Sequence, residues 1–338
     1  MTDRPLDRSE FIKRGGLVTA ALATGFLSSR SPARGAEVQS LKLAFPDNVH
    51  TPSMKVAQRF ASEVAAKTNG RFKVDIFPGG SLGSETNIVA GLQTSTIDFA
   101  MHTAGFVESY VPTVGVLDMP FIFKDAAQAT RVLSGPVGKQ LAADCSQRNI
   151  EVLGWAQNAW RNVESADHAV KTPADLKDVK IRIQAGPVFA AMFEAVGAVP
   201  VVMDWPDVYV GLSQKTIGAL EVPVPSFVSA KLYEICKHIA LTRHVYNATL
   251  FMASKPKLAA MSPADQEIIR HAGAGASAYW LDLMGAANKT AEAYSKGQGV
   301  QVIEVDRGAF RKAMVPVYQK FASKFGNLLP QILAETGG

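Results

Sequence analysis

The sequence predicts an α/β protein of two interleaved lobes with a ligand cleft between them. Three observations carry this. Short apolar strand patterns alternate with helical ones along most of the chain, which implies a mostly parallel sheet covered by helices. The 338 residues exceed one ordinary domain, at roughly 100 to 200 residues per domain. No internal repeat, low-complexity tract or Pro/Gly/Ser-rich linker cuts the chain into sequential pieces, so the lobes must share it through several crossovers.

The first 36 residues read differently. Met1 to Arg14 is polar and basic, and the apolar run Leu17 to Leu27 is about 11 residues long, well short of the roughly 20 that span a bilayer as a helix. Small residues at Ala33-Arg34-Gly35-Ala36 mark a cleavage site after Gly35 or Ala36. Residues 1–36 are therefore expected to be a removed signal peptide, leaving a soluble periplasmic form with no membrane anchor. Asp7-Arg8-Ser9-Glu10-Phe11-Ile12-Lys13 resembles a twin-arginine export motif with Ser9 in place of the second arginine, which leaves the Tat and Sec routes both open.

This leader also explains the basic balance. It holds six of the basic and three of the acidic residues, so it carries +3 of the total +5. The rest of the chain is nearly neutral and has no run of like charges, which sets nucleic acid aside as a partner.

Ser40 to Phe45 predicts a buried strand, and Thr51 to Thr68 a helix whose apolar residues recur near every 3.6 positions. The loop between them meets a helix N-terminus, a place that favours anions, so Asn48 and His50 are candidate ligand contacts. Arg71 to Phe77 is a strand, Glu85 to Gln93 a helix and Ile97 to His102 a strand, with Glu85 and His102 placed to face the cleft. A helix follows over Ala126 to Gln147, then strand Glu151 to Gln157, a helical turn at Ala174 to Leu176, strand Lys180 to Ile183 and helix Val188 to Val196. The alternation repeats with strand Val199 to Met203, helix Asp207 to Gln214, strand Ala219 to Val222 and a helix around Ser229 to Cys236. The C-terminal part predicts long helices over Pro263 to Lys289 and Asp306 to Phe325, with strand Val300 to Val305 between them.

Catalytic signatures are missing: no GxSxG, no GxxxxGK[ST], no HExxH, and no GxGxxG after a strand. The six histidines are scattered, and the only cysteines, Cys145 and Cys236, lack metal-ligand spacing. No metal or cofactor is expected. The two cysteines read as buried apolar thiols, with a bridge as the alternative.

Several segments in order resemble the solute-binding subunits of TRAP transporters, the DctP-type proteins. They include Phe77-Pro78-Gly79-Gly80-Ser81-Leu82-Gly83, Thr96-Ile97-Asp98, Leu117-Asp118-Met119-Pro120-Phe121, Trp160-Arg161-Asn162, Lys171-Thr172-Pro173-Ala174-Asp175-Leu176, Lys180-Ile181-Arg182-Ile183 and Asp207-Val208-Tyr209. The resemblance covers residues 38 to 330. It implies a type II-like periplasmic binding protein, its lobes joined by crossing strands and a long helix, that closes on a small organic anion and passes it to TRAP membrane permease subunits. The expected lobes are 37–158 with about 248–288, and 159–247 with about 289–330.

The resemblance also implies site residues. The arginine of the Lys-Ile-Arg segment, here Arg182, clamps the ligand carboxylate, a role that suits a planar, permanently charged guanidinium. Arg161 or its neighbour Asn162 points toward the cleft. Relatives carry Glu-Asn-Pro where this chain has Glu221-Val222-Pro223, so an amide gives way to an apolar wall. With Trp205 and Phe227 as aromatic candidates, that change points to an aromatic or branched monocarboxylate, a dicarboxylate or sugar acid being the alternative ligand. A receptor for a sensor kinase, and a secreted enzyme using the same cleft, are the rival functions.

Overall fold

A computed structural model of the chain describes residues 38–336. The expected signal peptide, residues 1–36, lies outside the described residues. Among the described residues nine strands form one sheet: β1 (Gln39–Ala44), β2 (Phe72–Phe77), β3 (Phe99–Thr103), β4 (Ile150–Ser165), β5 (Lys180–Ile183), β6 (Val199–Val202), β7 (Ala219–Pro223), β8 (His238–Ser254) and β9 (Gln301–Ile303). Their order is β2-β1-β3-β8-β4-β7-β5-β6, with β9 also on β8.

Two parallel blocks, β2-β1-β3 and β7-β5-β6, flank two long strands that pair antiparallel with each other. β4 has 16 residues and β8 has 17. At about 3.3 Å per residue each runs some 50 Å, long enough to serve both halves of the fold. β8 pairs with β3 through Thr249–Ala253 and with β9 through His238–Ala240, while β4 pairs with β7 through Arg161–Ser165. The β4–β8 register shifts at Val152/Gly154, Gln157/Trp160 and Arg161/Val163, and such bulges bend strands.

The mostly parallel sheet expected from the alternation is thus corrected: the centre is antiparallel. The strand expected at 151–157 runs on to Ser165, and β8 was not expected at all. Both segments bury polar side chains, Arg161, Asn162, Glu164, Thr242, His244, Asn247 and Thr249, which interrupt the apolar run by which a buried strand is recognised.

Thirteen α-helices among the described residues surround the sheet: α1 (Pro52–Lys67), α2 (Glu85–Gln93), α3 (Ala104–Val107), α4 (Ala126–Ser134), α5 (Pro136–Gln147), α6 (Pro187–Glu194), α7 (Val208–Ser213), α8 (Val224–Ser229), α9 (Lys255–Ala259), α10 (Pro263–Gly297), α11 (Arg307–Ala313), α12 (Val315–Phe321) and α13 (Leu328–Thr336). The helix expected over 126–147 is two, because Pro136 cannot donate an N–H across the Gly135 break and instead begins α5. The same cause splits 306–325 at Met314, ahead of Pro316. The helix expected around 229–236 lies earlier, at α8, where Pro225 occupies the first turn.

The 35 residues of α10 span about 50 Å and run beside the crossing strands. Two glycines allow the close approach: a Cβ on Gly154 of β4 would meet Ser277 Oγ at 2.3 Å, and one on Gly273 of α10 would meet Leu153 Cβ at 2.5 Å. Cys145, in α5, and Cys236, in the loop before β8, are free, buried thiols. Among the described residues no helix is long and apolar enough to cross a membrane.

Candidate ligand site between the two halves of the sheet

The carboxyl ends of β1, β3, β5 and β7 converge with the middles of β4 and β8 on a closed-down cavity of about 50 Å³. That is where α/β sheets place small-molecule sites. Strand alternation fills it. On β5, Ile181 and Ile183 enter the core while Arg182, and Gln184 just beyond the strand, face the cavity.

Arg182 is 2% exposed. Its Nε donates to Met203 O at 2.9 Å, its guanidinium carbon lies 5.6 Å from the Trp205 ring centroid, and its Nη2 is 3.8 Å from Glu85 Oε2. Neither terminal nitrogen hydrogen-bonds to a described residue. Burial lowers the guanidinium pKa from its ordinary value, opposed by the Glu85 carboxyl.

Glu85 begins α2, whose cap Ser84 accepts the Asn87 N–H at 3.1 Å. Its Oε2 accepts the Trp205 N–H at 2.8 Å, joining the two halves across the cleft. Burial pushes this carboxyl up to about 8 despite the Arg182 charge, so at neutral pH it is mainly a protonated acid that can also donate. His102 is neutral, its pKa driven down to about 3 by burial. Its Nδ1 accepts the Thr103 N–H at 3.1 Å, which leaves the proton on Nε2, 3.7 Å from Glu85 Oε1 and with no hydrogen-bond partner.

Further unpartnered groups complete the wall. Gln184 accepts from Thr103 Oγ1 at 2.7 Å and leaves its Nε2 free, and the Asn247 Nδ2 and Thr249 Oγ1 are likewise buried without partners. Buried polar groups are normally satisfied, so several orphaned donors around one cavity mark a polar ligand site. Asp47, held by Ser53 and raised by burial, adds a carboxyl.

Arg161 also lines the cavity but is committed to the protein. It is paired with the fully buried Glu221 through Nε and through Nη2 at 2.7 Å, bonds Glu221 O at 2.6 Å and Asn247 Oδ1 at 2.9 Å, and sits 5.1 Å from the Phe189 ring centroid. Its one-sided supply of donors orients Asn247, turning the free Nδ2 of that amide to other use.

Of the residues named from sequence, Arg182, Arg161, Trp205, Val222, Glu85 and His102 line this cavity. Four do not. Asn162 turns to the backbone, donating to Trp160 O at 3.1 Å and accepting the Arg243 N–H at 3.1 Å, which pins the β4–β8 irregularity. Phe227 is fully buried in a separate apolar cluster with Leu212, Leu220 and Leu232. Asn48 accepts the His50 N–H at 2.9 Å and lines a separate pocket with Pro206 and Tyr209; His50 is exposed. The sequence reading missed Asp47, Thr103, Gln184, Asn247 and Thr249. Gln184 was legible two positions after Arg182, on the same face; Asn247 and Thr249 belong to the strand that was not expected. Among the described residues no group of three His, Cys, Asp or Glu side chains is arranged to hold a metal.

A two-lobed α/β body with crossing strands, a long bracing helix and a donor-rich cleft defines a solute-binding protein of the periplasmic type. Residues 47–324 match the family model for DctP, bacterial extracellular solute-binding protein family 7, and the chain belongs to that family. It is 34% identical over 298 residues to the 2,3-diketo-L-gulonate-binding periplasmic protein of Escherichia coli K12, covering 88% of this chain and 90% of that one. A TRAP periplasmic solute binding protein from Bordetella, with density assigned to pantoate, superposes with TM-score 0.84 at 32% identity over 87% of this chain and 98% of that one. One from Roseobacter denitrificans with bound β-D-glucuronate superposes with TM-score 0.85 at 26% identity, over 88% and 99%.

Proposed function

We propose that this chain is the periplasmic receptor of a TRAP transporter and captures a small hydroxylated carboxylate, a sugar acid or short hydroxy acid, by closing its lobes over it. It then delivers the acid to the membrane permease and does no chemistry on it. The observation that carries this reading is Arg182: a guanidinium 2% exposed in a cavity, with neither terminal nitrogen hydrogen-bonded to a described residue and only the Glu85 carboxyl, 3.8 Å away, near it. A ligand carboxylate is the group that completes such a fork.

The sugar-acid alternative replaces the aromatic monocarboxylate that Val222 suggested. Losing an amide at position 222 leaves polar recognition to His102, Gln184, Asn247 and Thr249, whose free donors call for oxygen acceptors along the ligand. Glu85 and Asp47 serve its hydroxyl protons. The acids bound by the relatives named above share that chemistry, a carboxylate with neighbouring oxygens. Val222 and Phe106 provide the apolar part of the wall, against the carbon skeleton.

In this reading the lobes are residues 37–158 with about 248–288 and residues 159–247 with about 289–330, and the β4–β8 register shift between Gln157 and Trp160 supports a hinge there. Export rests on the leader within residues 1–36. A thermal-shift screen of aldonates, uronates, short hydroxy acids, dicarboxylates and aromatic acids tests the reading, since a ligand that binds only the folded state raises its stability. Stabilisation confined to hydroxylated acids supports it. Stabilisation by aromatic acids alone, or turnover of the bound acid, refutes it.

A further inference from the structure

We propose that a second groove, sharing no lining residue with the ligand cavity and built on Phe121, Arg307 and Arg311, docks an acidic protein segment that also carries an apolar side chain. The groove, of about 580 Å³, lies between the loop preceding α4 and the helices α11 and α12. Among the described residues no carboxylate lines it, whereas Lys124, Arg307 and Arg311 do. Arg307 and Arg311 lie four positions apart on one face of α11, so their charges add. Their guanidinium carbons lie 6.0 and 5.5 Å from the Phe121 ring centroid, and Arg307 is also 6.0 Å from that of Trp160.

Among the described residues neither arginine is in an ion pair. Glu304 is engaged by Arg243 at 2.9 Å, itself a further positive charge beside Arg307. The Arg307 Nε is buried and has no hydrogen-bond partner. Phe121 is held at φ 60°, a region bulky residues avoid, by its N–H donating to His244 O at 2.7 Å, while Tyr318 Oη donates to the adjoining Pro120 O at 2.5 Å. The loop is thereby fixed with its aromatic ring under the two arginines. Two guanidiniums beside an aromatic ring, one partly buried and one exposed, suit carboxylate partners.

The occupant is a protein segment for two reasons. The space exceeds what one small anion fills, and the rim is apolar as well as basic, with Val315 50% exposed beside the arginines. Because the walls come from a loop of the first half and from C-terminal helices, the groove's width depends on how the halves are arranged. A membrane partner reading it would sense closure.

The test uses the full mature chain and a fluorescein-labelled peptide, Asp-Glu-Leu-Asp-Glu-Phe, followed by polarisation at low and physiological salt. Saturable binding is expected, weakened by salt, reduced about tenfold by Arg307→Gln with Arg311→Gln, and unchanged by Arg182→Ala. Arg311→Gln alone, on an exposed side chain, gives a smaller loss in a protein whose melting temperature is unaltered. The proposal is overturned by absence of saturable binding at millimolar peptide, by equal binding to the double variant, by citrate displacing the peptide at equal concentration, or by self-association of the chain through this face.

Discussion

Glu85 Oε2 lies 3.8 Å from Arg182 Nη2, an acid from one half of the fold set against a cation from the other. Glu85 holds its proton more tightly in the folded chain, at about 8 against an ordinary value of 4.5, so the folded state binds more protons across that window. Stability therefore falls as pH rises from about 4.5 to about 8 and levels off above it. His102 acts in the opposite sense, costing stability as pH falls from 6.5 toward about 3. Burial also raises the Glu108, Asp118 and Glu164 carboxyls, which act in the same sense, so the difference between wild type and Glu85→Gln in chemical denaturation between pH 6.5 and 8 gives the Glu85 contribution: a shallower decline in Glu85→Gln is expected, and an equal slope in both argues against the assignment.

Arg161 and Glu221 are a buried structural pair. Removing one partner strands the other charge, so Arg161→Ala should cost about 3 to 5 kcal/mol of stability, whereas Arg161→Met with Glu221→Leu should recover most of that loss. Urea denaturation of the two variants measures both. A single variant as stable as the wild type would make Arg161 a free ligand contact instead.

Closure is tested at Gly105 of α3. A Cβ there would meet Gln184 Nε2 at 2.5 Å and Cδ at 2.8 Å, across the cleft. Gly105→Val should hold the halves apart, lowering ligand affinity about tenfold or more and raising the radius of gyration in small-angle scattering, with little loss of melting temperature. Unchanged affinity would mean that the halves do not need this contact to close.

The fold was legible wherever burial is apolar and local. The β1–α1–β2 opening and the β5–α6–β6 unit follow from periodicity and turn residues. What escaped is where function intrudes on pattern. β8 and the second half of β4 carry Asn247, Thr249, Arg161 and Glu164 at buried positions, and no local rule assigns such side chains to a strand interior. The site was legible in the same uneven way: Arg182 stood out by resemblance, while Asn247 and Thr249 reach the cavity only through pairings far apart in sequence.

Cys145 and Cys236 are fully buried, and burial raises the Cys145 thiol to about 12. Thiolate is the reactive form, so the native protein should resist Ellman's reagent and release two thiols per chain on unfolding. Release of none would reveal a bridge.

The central claim is that Arg182 receives a ligand carboxylate inside the cavity. Isothermal titration of the best hydroxylated acid from the screen, and of its uncharged alditol analogue, into wild type and Arg182→Ala tests it most directly. The acid should bind the wild type, the alditol should not, and the variant should lose roughly 100-fold or more in affinity at unchanged melting temperature. Equal affinity for the alditol, or unchanged affinity in the variant, would contradict it.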